Sequence, residues 1–545
     1  MKTREINCLL EFLAHASHCY GENTALQHAN DAGRDISFSE LQLQAHLGAA
    51  CLTRLDPVEG KPVLLLMEAC PEWAASFFAI LAAGKIAVPL VIDMPVEEIA
   101  GLAAHAGIET AILGQHARHL TPALKGCRTL YPADLFKGDL RQHNTRVAAD
   151  DTAVLAFTSG STRQPRAVEL THANLMSNLN GLRSVRQAGP NDVFLSVLPP
   201  AHLFELTVGL LAPLSCGATI VYAGTHMPNR ILDYMRDFEI THTLAVPALV
   251  ESLYLEVLFQ LSEAEIIDPS RGRQQVAETA RRIQYELSQD TLEKIRLGTR
   301  SRFGFSLHTL VVGGAAIENA YSQVLKAIGI NLELGYGLTE ASPIVSIGLA
   351  ADCPNESVGK PLPNIDVRID EGGEILVKGR SVMKRYFKDP SSTHDVLHDG
   401  WLRTGDRGKL DSQGFLFIEG RIKEAMVTRS GETIYPDEVE CYYAHPMLAE
   451  SCVAALRGED GNDVPTLFAI PASDDISDEQ LDEVFKGLKR NAPNRYKVPQ
   501  MIRLNQALPR TATGKVRRRL VAESLEQRNS VLDGHSRRSR GTRDE

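Results

Sequence analysis

Several features that mark other protein classes are missing from this sequence of 545 residues. Its nine cysteines are scattered and never form a C-x-x-C pair, which favours isolated buried thiols in a reducing compartment over a disulfide framework. No apolar run reaches the length of a membrane span, and the N-terminus has no apolar signal-peptide core. The formal net charge of −11 disfavours nucleic acid as a partner, because like charges repel. We therefore expect a cytoplasmic protein with no transmembrane segment.

The pattern of apolar residues indicates an α/β fold, and the chain is too long for a single core. Between Ile36 and Ile317, helical segments such as FSELQLQAHLGAACL alternate with short apolar strands such as KPVLLLM and LHTLVVGGA. This alternation predicts largely parallel sheet flanked by helices. The polar stretch 251–300 carries no strand signals and predicts an exposed helical excursion.

The composition changes after Ser357. Strands and Gly/Pro turns follow it, which predicts a small β subdomain at the end of the large domain. Further along, strands and helices suffice for a small α+β domain. We therefore divide the chain into a large N-terminal domain at 1–421, a C-terminal domain at 422–522, and a polar tail at 523–545 that is predicted to be disordered.

The stretch FTSGSTRQPRAV, Phe157–Val168, lies between an apolar run and LTHANL, which begins like a helix. Its backbone N–H groups and hydroxyls can all point at one anion. The residues that offer these groups are Thr158, Ser159, Gly160, Ser161 and Thr162. The spacing differs from G-x-x-x-x-G-K-[ST], so this is not the common P-loop. Taken alone, the pattern fits a phosphate-binding loop and an ordinary Ser/Gly-rich turn equally well.

Later segments carry side chains suited to a nucleotide. The strand LVVGGAAI ends in small residues, which let a flat ring approach the backbone. In LELGYGLTEASP, Tyr336 can stack, Thr339 can donate to phosphate and Glu340 can bind Mg²⁺. Asp406, in a TGD turn, can accept two ribose hydroxyls, and Lys515 follows a flexible Thr-Gly pair.

Each of these side chains also has a structural explanation when it is taken singly. A tyrosine before glycine is commonly a packing residue, and an aspartate in a TGD segment commonly forms a turn. A lysine in a basic cluster is commonly solvated. The run Arg517-Arg518-Arg519 beyond Lys515 is interpreted in the same way, as a solvated helix face.

In this order, the segments resemble the motifs of adenylate-forming enzymes, the superfamily of acyl-CoA synthetases, luciferases and peptide-synthetase adenylation domains. The resemblance spans about residues 36–522. FTSGSTRQPRAV resembles the phosphate loop and LELGYGLTEASP the nucleotide motif. TGD and GRIKE resemble the ribose and hinge motifs, and PRTATGK the motif of the catalytic lysine. The resemblance implies a mobile C-terminal domain and an ATP-dependent acid–thiol ligase that forms an acyl-adenylate and then a thioester.

The resemblance also implies roles for single residues. Lys515 and Mg²⁺ held by Glu340 would stabilise negative charge, and His202 in LPPAHLFELTVG would lie near the acyl carboxylate. Lys423 would be the hinge, and Gly431 would lie at the thiol tunnel. The implied nucleotide-binding residues are Thr158, Ser159, Gly160, Ser161, Thr162, Arg166, Gly314, Ala315, Tyr336, Gly337, Thr339, Asp406 and Arg421.

The phosphate loop departs from the usual T-S-G-[ST]-T-G-x-P-K-G pattern. Arg163 replaces a glycine, Arg166 the lysine and Ala167 the last glycine. Arg166 keeps a positive charge for phosphate, with a fork geometry in place of a lysine's point charge. Ala167 has less backbone freedom than glycine, which predicts a stiffer loop. The T-S-G-S-T-R form resembles fatty acyl-AMP ligases, which load the phosphopantetheine of carrier proteins. SGETIYPDEVE and LPPAHLFELTVG instead resemble medium- or long-chain acyl-CoA synthetases, which use coenzyme A. A fatty acid is the expected substrate, and an aryl or branched acid and a non-enzymatic nucleotide-binding homologue are the alternatives.

Overall fold

The computed structural model describes residues 6–30, 35–139, 146–158, 166–267, 275–313, 317, 319–349, 353–354, 356–427, 433–440, 442–445, 447–458, 463–510 and 516–524. The chain divides into two compact units. The first comprises Met1–Asp370, Leu376–Thr404 and Leu410–Phe417; the second comprises Glu371–Ile375, Gly405–Lys409 and Ile418–Glu545. The sequence-based boundary at residue 421 stays a prediction.

Helices occur throughout the described ranges. They are α1 Leu9–Tyr20, α2 Phe38–Leu55, α3 Pro71–Ala82, α4 Val96–Ala106, α5 Pro132–Leu135, α6 His172–Val185, α7 Ala212–Cys216, α8 Pro228–Asp237, α9 Pro247–Glu263, α10 Val276–Tyr285, α11 Gln289–Phe303, α12 Asn319–Ala327, α13 Pro390–Val396, α14 Pro436–Glu440 and α15 Asp478–Asn491. Shorter 3₁₀ turns occupy Arg118–Ala123, Thr339–Ala341, Ile422–Glu424 and Asn494–Tyr496, and Glu205–Leu211 is π-helical. None of the helices in these ranges is both long and apolar enough to cross a bilayer.

The strands before residue 365 are short, as expected for buried strands between helices. They are β1 Thr24–His28, β2 Ile36–Ser37, β3 Pro62–Leu66, β4 Ile86–Leu90, β5 Thr110–Leu113, β6 Arg128–Leu130, β7 Thr152–Thr158, β8 Arg166–Thr171, β9 Val193–Ser196, β10 Thr219–Tyr222, β11 His242–Ala245, β12 Thr309–Gly313, β13 Asn331–Gly337, β14 Ile344–Ile347 and β15 Lys360–Pro361. The remaining strands are β16 Ile365–Ile369, β17 Glu374–Gly379, β18 Arg385–Tyr386, β19 Leu397–His398, β20 Trp401–Leu410, β21 Leu416–Arg421, β22 Met426–Val427, β23 Thr433–Ile434, β24 Leu448–Arg457, β25 Asp463–Pro471 and β26 Gln500–Arg503.

Two mainly parallel sheets form the centre of the first unit, which confirms the predicted α/β fold. One has nine strands in the order β15-β14-β13-β12-β11-β9-β10-β1-β2, and the other has seven in the order β18-β8-β7-β4-β3-β5-β6. Strands β9 to β13 that are neighbours in the first sheet run parallel. The predicted strand KPVLLLM is β3, and LHTLVVGGA contains β12.

The helical stretch 251–300 is less exposed than its polar sequence suggested. Helices α9, α10 and α11 cover it in the described residues, and the inner face of α9 is fully buried. Leu253, Tyr254, Val257 and Leu261 form that face. Their i, i+3, i+4 spacing is that of an amphipathic helix, so these helices contribute to the core of the first unit.

The predicted β subdomain and the small α+β domain are both present. Strands β16, β17, β20, β19 and β21 form one sheet, and the chain passes between the two units within β20 and β21. The second unit also contains the pair β22-β23, the sheet β24-β25-β26 and helices α14 and α15. Val453, Leu467, Phe485 and Val498 are among the residues of its core.

Candidate functional site

The predicted phosphate loop joins two antiparallel strands. Thr158 ends β7 and Arg166 begins β8, and the two residues are partners in the register. The Thr158 hydroxyl donates to the Arg166 carbonyl oxygen at 3.5 Å. The structure therefore places both ends of the loop at one edge of the seven-stranded sheet, whereas Ser159, Gly160, Ser161 and Thr162 lie outside the described residues.

The strand β8 corrects one sequence-based interpretation. We had expected the loop to lead directly into a helix, but residues 166–171 form a strand before α6 begins at His172. Ala167 is buried in this strand opposite Phe157. It is therefore a residue of the sheet, and the expectation that it stiffens the loop stays a prediction.

Glu340 lies on a tight turn after β13. Gly337 ends that strand, and a Cβ atom there would lie 1.9 Å from the Pro343 carbonyl oxygen, so only glycine fits. Thr339, Glu340 and Ala341 form a 3₁₀ turn directly after it. Tyr336 is half-buried on β13, so its ring is partly accessible for the stacking role.

Hydrogen bonds from α6 fix this turn. The capping box of Thr171 with Asn174 starts α6. One turn later, the Asn178 side chain donates to the carbonyl oxygens of Ala341 at 3.2 Å and Ile344 at 2.7 Å. The Met383 N–H donates to the Glu340 carbonyl oxygen at 2.8 Å. The backbone that carries Glu340 is thus held in place before any ligand binds.

The Glu340 carboxylate is oriented by a tyrosine. The Tyr386 hydroxyl donates to Glu340 Oε1 at 2.8 Å, and the Arg166 guanidinium lies 5.2 Å from the centre of the Tyr386 ring. Burial and the nearby Glu340 carboxylate raise the pKa of Tyr386, so the phenol keeps the proton that it donates. Among the described residues, Glu340 Oε2 has no hydrogen-bond partner. Glu340 and Arg166 are 174 positions apart in the sequence, and both contact the side chain of Tyr386.

His202 lies in the segment between β9 and the π-helical stretch. Its Nε2 atom is buried and has no partner in the described part of the chain. Burial lowers the pKa of His202 to about 4, so the imidazole is neutral at pH 7. Its Nε2 atom can form one hydrogen bond with a ligand. The neighbouring Phe204 ring packs on Gly313, where a Cβ atom would lie 3.0 Å from the ring. This contact brings the predicted acyl segment to the end of β12, just before Gly314 and Ala315, which lie outside the described residues.

Glu205 follows this segment and is fully buried in the π-helical stretch. The Ser196 hydroxyl donates to its Oε1 atom at 2.6 Å, and Oε2 has no partner among the described residues. A Cβ atom on Gly209 would lie 2.4 Å from Oε1, so glycine provides the space for the carboxyl group. Burial raises the pKa of Glu205 to about 8, so this side chain is a neutral acid at pH 7.

In the second unit, Asp406 is buried on β20 and Arg421 ends β21. Arg421 Nε lies 3.1 Å from Asp406 Oδ1, so the two predicted ribose residues form an ion pair. The adjacent Gly405, at φ 72°, has its N–H bonded to Glu374 Oε1 at 2.9 Å. Lys423 is exposed in the 3₁₀ turn that follows. Gly431 and Lys515 lie outside the described residues.

The basic run after the PRTATGK segment contains an arginine that is only 16% exposed, which corrects its interpretation as a solvated face. Arg518 Nη1 donates to Glu424 Oε2 at 2.9 Å, and its Nε and Nη2 atoms donate to Glu440 at 3.1 and 2.8 Å. A further hydrogen bond reaches Asp437. Only Arg517 and Arg519 of the run are exposed. Arg518 therefore joins the segment after Lys515 to the one after Lys423.

Sequence reasoning missed Tyr386, Phe204 and Glu205. Tyr386 lies 46 residues from its partner Glu340, and no local pattern marks it. Glu205 carried a signal, because a lone acid in the apolar run LFELTVGLL is costly unless it is neutral or paired.

Comparison with known proteins identifies the family. The model of the AMP-binding enzyme family matches residues 13–387. A feruloyl-CoA synthase of Amycolatopsis is 27% identical over 508 residues, covering 90% of this chain and 94% of that protein. A long-chain-fatty-acid–CoA ligase of Mycobacterium tuberculosis is 24% identical over 516 residues, covering 90% and 93%.

Solved structures show the same fold. A fatty acyl CoA synthetase of Mycobacterium tuberculosis superposes with a TM-score of 0.69 at 21% identity, covering 96% of this chain and 99% of that one. An O-succinylbenzoate coenzyme A synthetase from Bacillus subtilis, solved with ATP and magnesium ion, gives 0.75 at 22% identity, covering 93% and 98%. The family match and the relatives define an adenylate-forming ligase of the acyl-CoA synthetase type. The chain belongs to the AMP-binding enzyme family.

Proposed function

We propose that this ligase uses ATP to activate a medium- or long-chain fatty acid and transfers the acyl group to coenzyme A. The observation that carries this proposal is the cluster of Glu340, Tyr386 and Arg166 at the end of the phosphate-loop hairpin. It combines an oriented carboxylate, a phenol and a guanidinium beside a Ser/Thr-rich loop. Such a set suits a magnesium-bound polyphosphate.

In the first half-reaction, a carboxylate oxygen of the acid bonds to the α-phosphorus of ATP. The bond from that phosphorus to the bridging oxygen of the β-phosphate breaks, and pyrophosphate leaves. Arg166 and Lys515 balance the charge that accumulates. Glu340 would hold Mg²⁺, because one of its carboxylate oxygens has no partner among the described residues, and the bound ion would supply Lewis-acid stabilisation of the phosphate charge.

In the second half-reaction, the thiol sulfur attacks the acyl carbon and the bond from that carbon to the AMP oxygen breaks. Lys515 has no role in this step. We assign the change between the steps to a rotation about Lys423, which would bring Gly431 to the thiol. The exposed 3₁₀ turn that holds Lys423 supports this assignment, because such a turn can change conformation without disturbing a core.

Two features support the fatty acid and coenzyme A. Several relatives carry the names of long-chain-fatty-acid–CoA ligases. The segment of His202 and Phe204 presents a neutral imidazole beside apolar side chains, which suits an apolar acid with one carboxylate. The feruloyl-CoA synthase relatives favour an aryl acid as the second candidate.

Mass spectrometry of the products tests the proposal. The protein is incubated with Mg²⁺, ATP and a mixture of fatty and hydroxycinnamic acids, in parallel with coenzyme A and with a holo carrier protein. Fatty acyl-CoA is expected to dominate. Aryl-CoA as the main product would mean that the substrate is an aryl acid, and acylated carrier protein would mean that the acceptor is a carrier protein. Absence of ATP–pyrophosphate exchange with every acid would overturn the activity itself.

A further inference from the structure

A cluster of two histidines and one aspartate lies at the opposite end of the nine-stranded sheet from the candidate nucleotide site. Asp192 precedes β9, His242 begins β11 and His308 precedes β12. These three strands are parallel neighbours, with His242 paired to both Phe194 and Thr309. Their amino ends therefore meet at one edge of the sheet. The five residues of β12 separate this edge from Gly313 by about 16 Å.

The three ligand-bearing atoms converge on one point. Asp192 Oδ1 lies 3.6 Å from His242 Nδ1 and 3.8 Å from His308 Nε2, and one atom from each side chain lies within 4.8 Å of the others. In a tetrahedral zinc site with bonds of about 2.0–2.1 Å, neighbouring ligand atoms are roughly 3.3 Å apart. The two distances from Asp192 exceed this value by a few tenths of an ångström, and the two imidazole nitrogens, which lie within 4.8 Å of each other, would have to approach by up to about 1.5 Å.

We propose that Asp192, His242 and His308 form a binding site for a zinc-class divalent cation. Two imidazoles and one carboxylate are a ligand set that Zn²⁺ and neighbouring transition metals prefer, whereas Mg²⁺ prefers oxygen ligands. A water molecule would complete the tetrahedron from the solvent side, because half of the His308 side chain is exposed. The site is therefore distinct from the proposed magnesium site at Glu340.

The surroundings orient the ligands as such a site requires. The Gly189 N–H donates to Asp192 Oδ2 at 2.8 Å, which leaves Oδ1 directed at the two rings. His242 stacks on Phe194 with ring centres 4.5 Å apart, and His308 Nδ1 lies 3.1 Å from the Thr309 hydroxyl. Partners of this kind fix the ring positions of metal-binding histidines.

Neighbouring groups bear on the affinity. Thr241 Oγ1 lies 2.8 Å from His242 Nδ1; it also accepts from the Val193 N–H and donates to the Val193 carbonyl oxygen. His242 Nδ1 is thus the donor in this contact. A cation would displace its proton, and the Thr241 side chain would have to turn away because its hydroxyl faces the same nitrogen. Arg186 brings positive charge nearby, but it forms an ion pair with the buried Glu333. Arg300 brings a second positive charge near His308, and the carboxylate of Asp192 opposes it.

Zinc titration of metal-stripped full-length protein tests this site. Binding is followed by competition with a chromophoric chelator, and Co²⁺ substitution reports tetrahedral geometry through its visible absorption bands. One equivalent is expected to bind and to raise the melting temperature. His308→Ala and Asp192→Asn should each weaken binding about tenfold or more. These two positions are chosen because His242 is buried and its loss would also disturb the core.

Three histidine variants serve as matched controls. His226→Ala removes an exposed imidazole elsewhere in the first unit, His398→Ala breaks the His394–His398 pair, and His15→Ala removes the ring beside Cys19. Their affinity for zinc should equal that of the unmodified protein. No binding by the unmodified protein, or equal binding by His308→Ala and Asp192→Asn, would overturn the proposal. ATP–pyrophosphate exchange with Mg²⁺ should persist in His308→Ala, so the two proposals fail independently.

Discussion

At the scale of single residues, the contact between Tyr386 and Glu340 turns a flexible acid into an oriented ligand. The backbone of Glu340 is already held by Asn178 and Met383, and the phenol then fixes one carboxylate oxygen. Partners that orient a metal-binding carboxylate tune metal affinity without touching the metal. Tyr386 is therefore a positioning residue in the proposed site.

Replacing Tyr386 with phenylalanine tests this role. Tyr386→Phe removes the hydrogen bond but keeps the ring beneath Arg166, so the fold should persist. We expect the Mg²⁺ concentration for half-maximal ATP–pyrophosphate exchange to rise about tenfold. The exposed Tyr285→Phe is the control. An unchanged Mg²⁺ dependence in Tyr386→Phe would show that the phenol does not orient Glu340.

Glu205 gives a pH-dependent prediction. Its pKa is raised to about 8 in the folded chain, from an ordinary value of 4.5, so the folded state binds more protons than the unfolded state between these two pH values. Folding stability from this group is therefore fully present below about pH 4.5 and falls by up to about 1.4 kcal/mol per pH unit as the pH rises towards 8.

Glu205→Gln should abolish that slope, because the amide stays neutral and keeps an oxygen that can accept from Ser196. The difference in unfolding free energy between the variant and the unmodified protein is measured by urea denaturation from pH 5 to 9. The difference should grow in favour of the glutamine variant up to about pH 8 and then level off. A difference that is constant with pH would mean that Glu205 is ionised in the folded state.

At the scale of secondary-structure elements, Arg518 links the segment after Lys515 to the turn after Lys423. It is one cation among three acids, and burial raises the pKa of Glu440 while Arg518 lowers it. Removing the cation leaves three neighbouring carboxylates, which are 24% to 52% exposed, without a counter-charge. Arg518→Ala should therefore destabilise the second unit by more than about 1 kcal/mol, the upper value for a single exposed ion pair.

The neighbouring Arg519 offers a matched control for Arg518. It bridges Glu523 across one helical turn on the surface, so Arg519→Ala should cost less than about 1 kcal/mol. Hydrogen exchange of β24 and β25 measures the stability of the second unit for both variants. Equal protection in the two variants would contradict the role of Arg518 as a link.

Some secondary-structure elements could be predicted from the sequence and others could not. Apolar strands such as β3 and β12 were predictable because burial on both faces requires a continuous apolar run. The sequence could not predict that β3 and β12 belong to different sheets, because strand pairing depends on segments that are far apart in the chain. Strand β8, with the sequence RAVELT, was missed because it mixes charged and apolar residues. The structure accommodates both charged side chains, because Glu169 pairs with Arg385 and Arg166 lies over the Tyr386 ring. Arg518 was misread because the acids that pair with it are 78 to 94 residues away.

At the scale of the whole molecule, the proposed chemistry draws its residues from both units of the chain. Glu340, Arg166 and His202 belong to the first unit, whereas Asp406, Lys423 and Lys515 belong to the second. If Lys515 acts only while pyrophosphate leaves, its removal should affect one half-reaction and spare the other. Loss of one half-reaction alone would support the two-step scheme, because loss of a residue needed for folding would lower the rates of both half-reactions.

Lys515→Ala should lower ATP–pyrophosphate exchange by about a thousandfold, as expected when a charge that stabilises the transition state is lost. Thioester formation from supplied acyl-adenylate and coenzyme A should remain within about twofold. The control is Lys486→Ala, which removes an exposed lysine of the same unit and should change neither rate. Equal loss of both half-reactions in Lys515→Ala would contradict the proposed scheme, because the lysine would then be required throughout the cycle and no rotation about Lys423 would be needed to withdraw it.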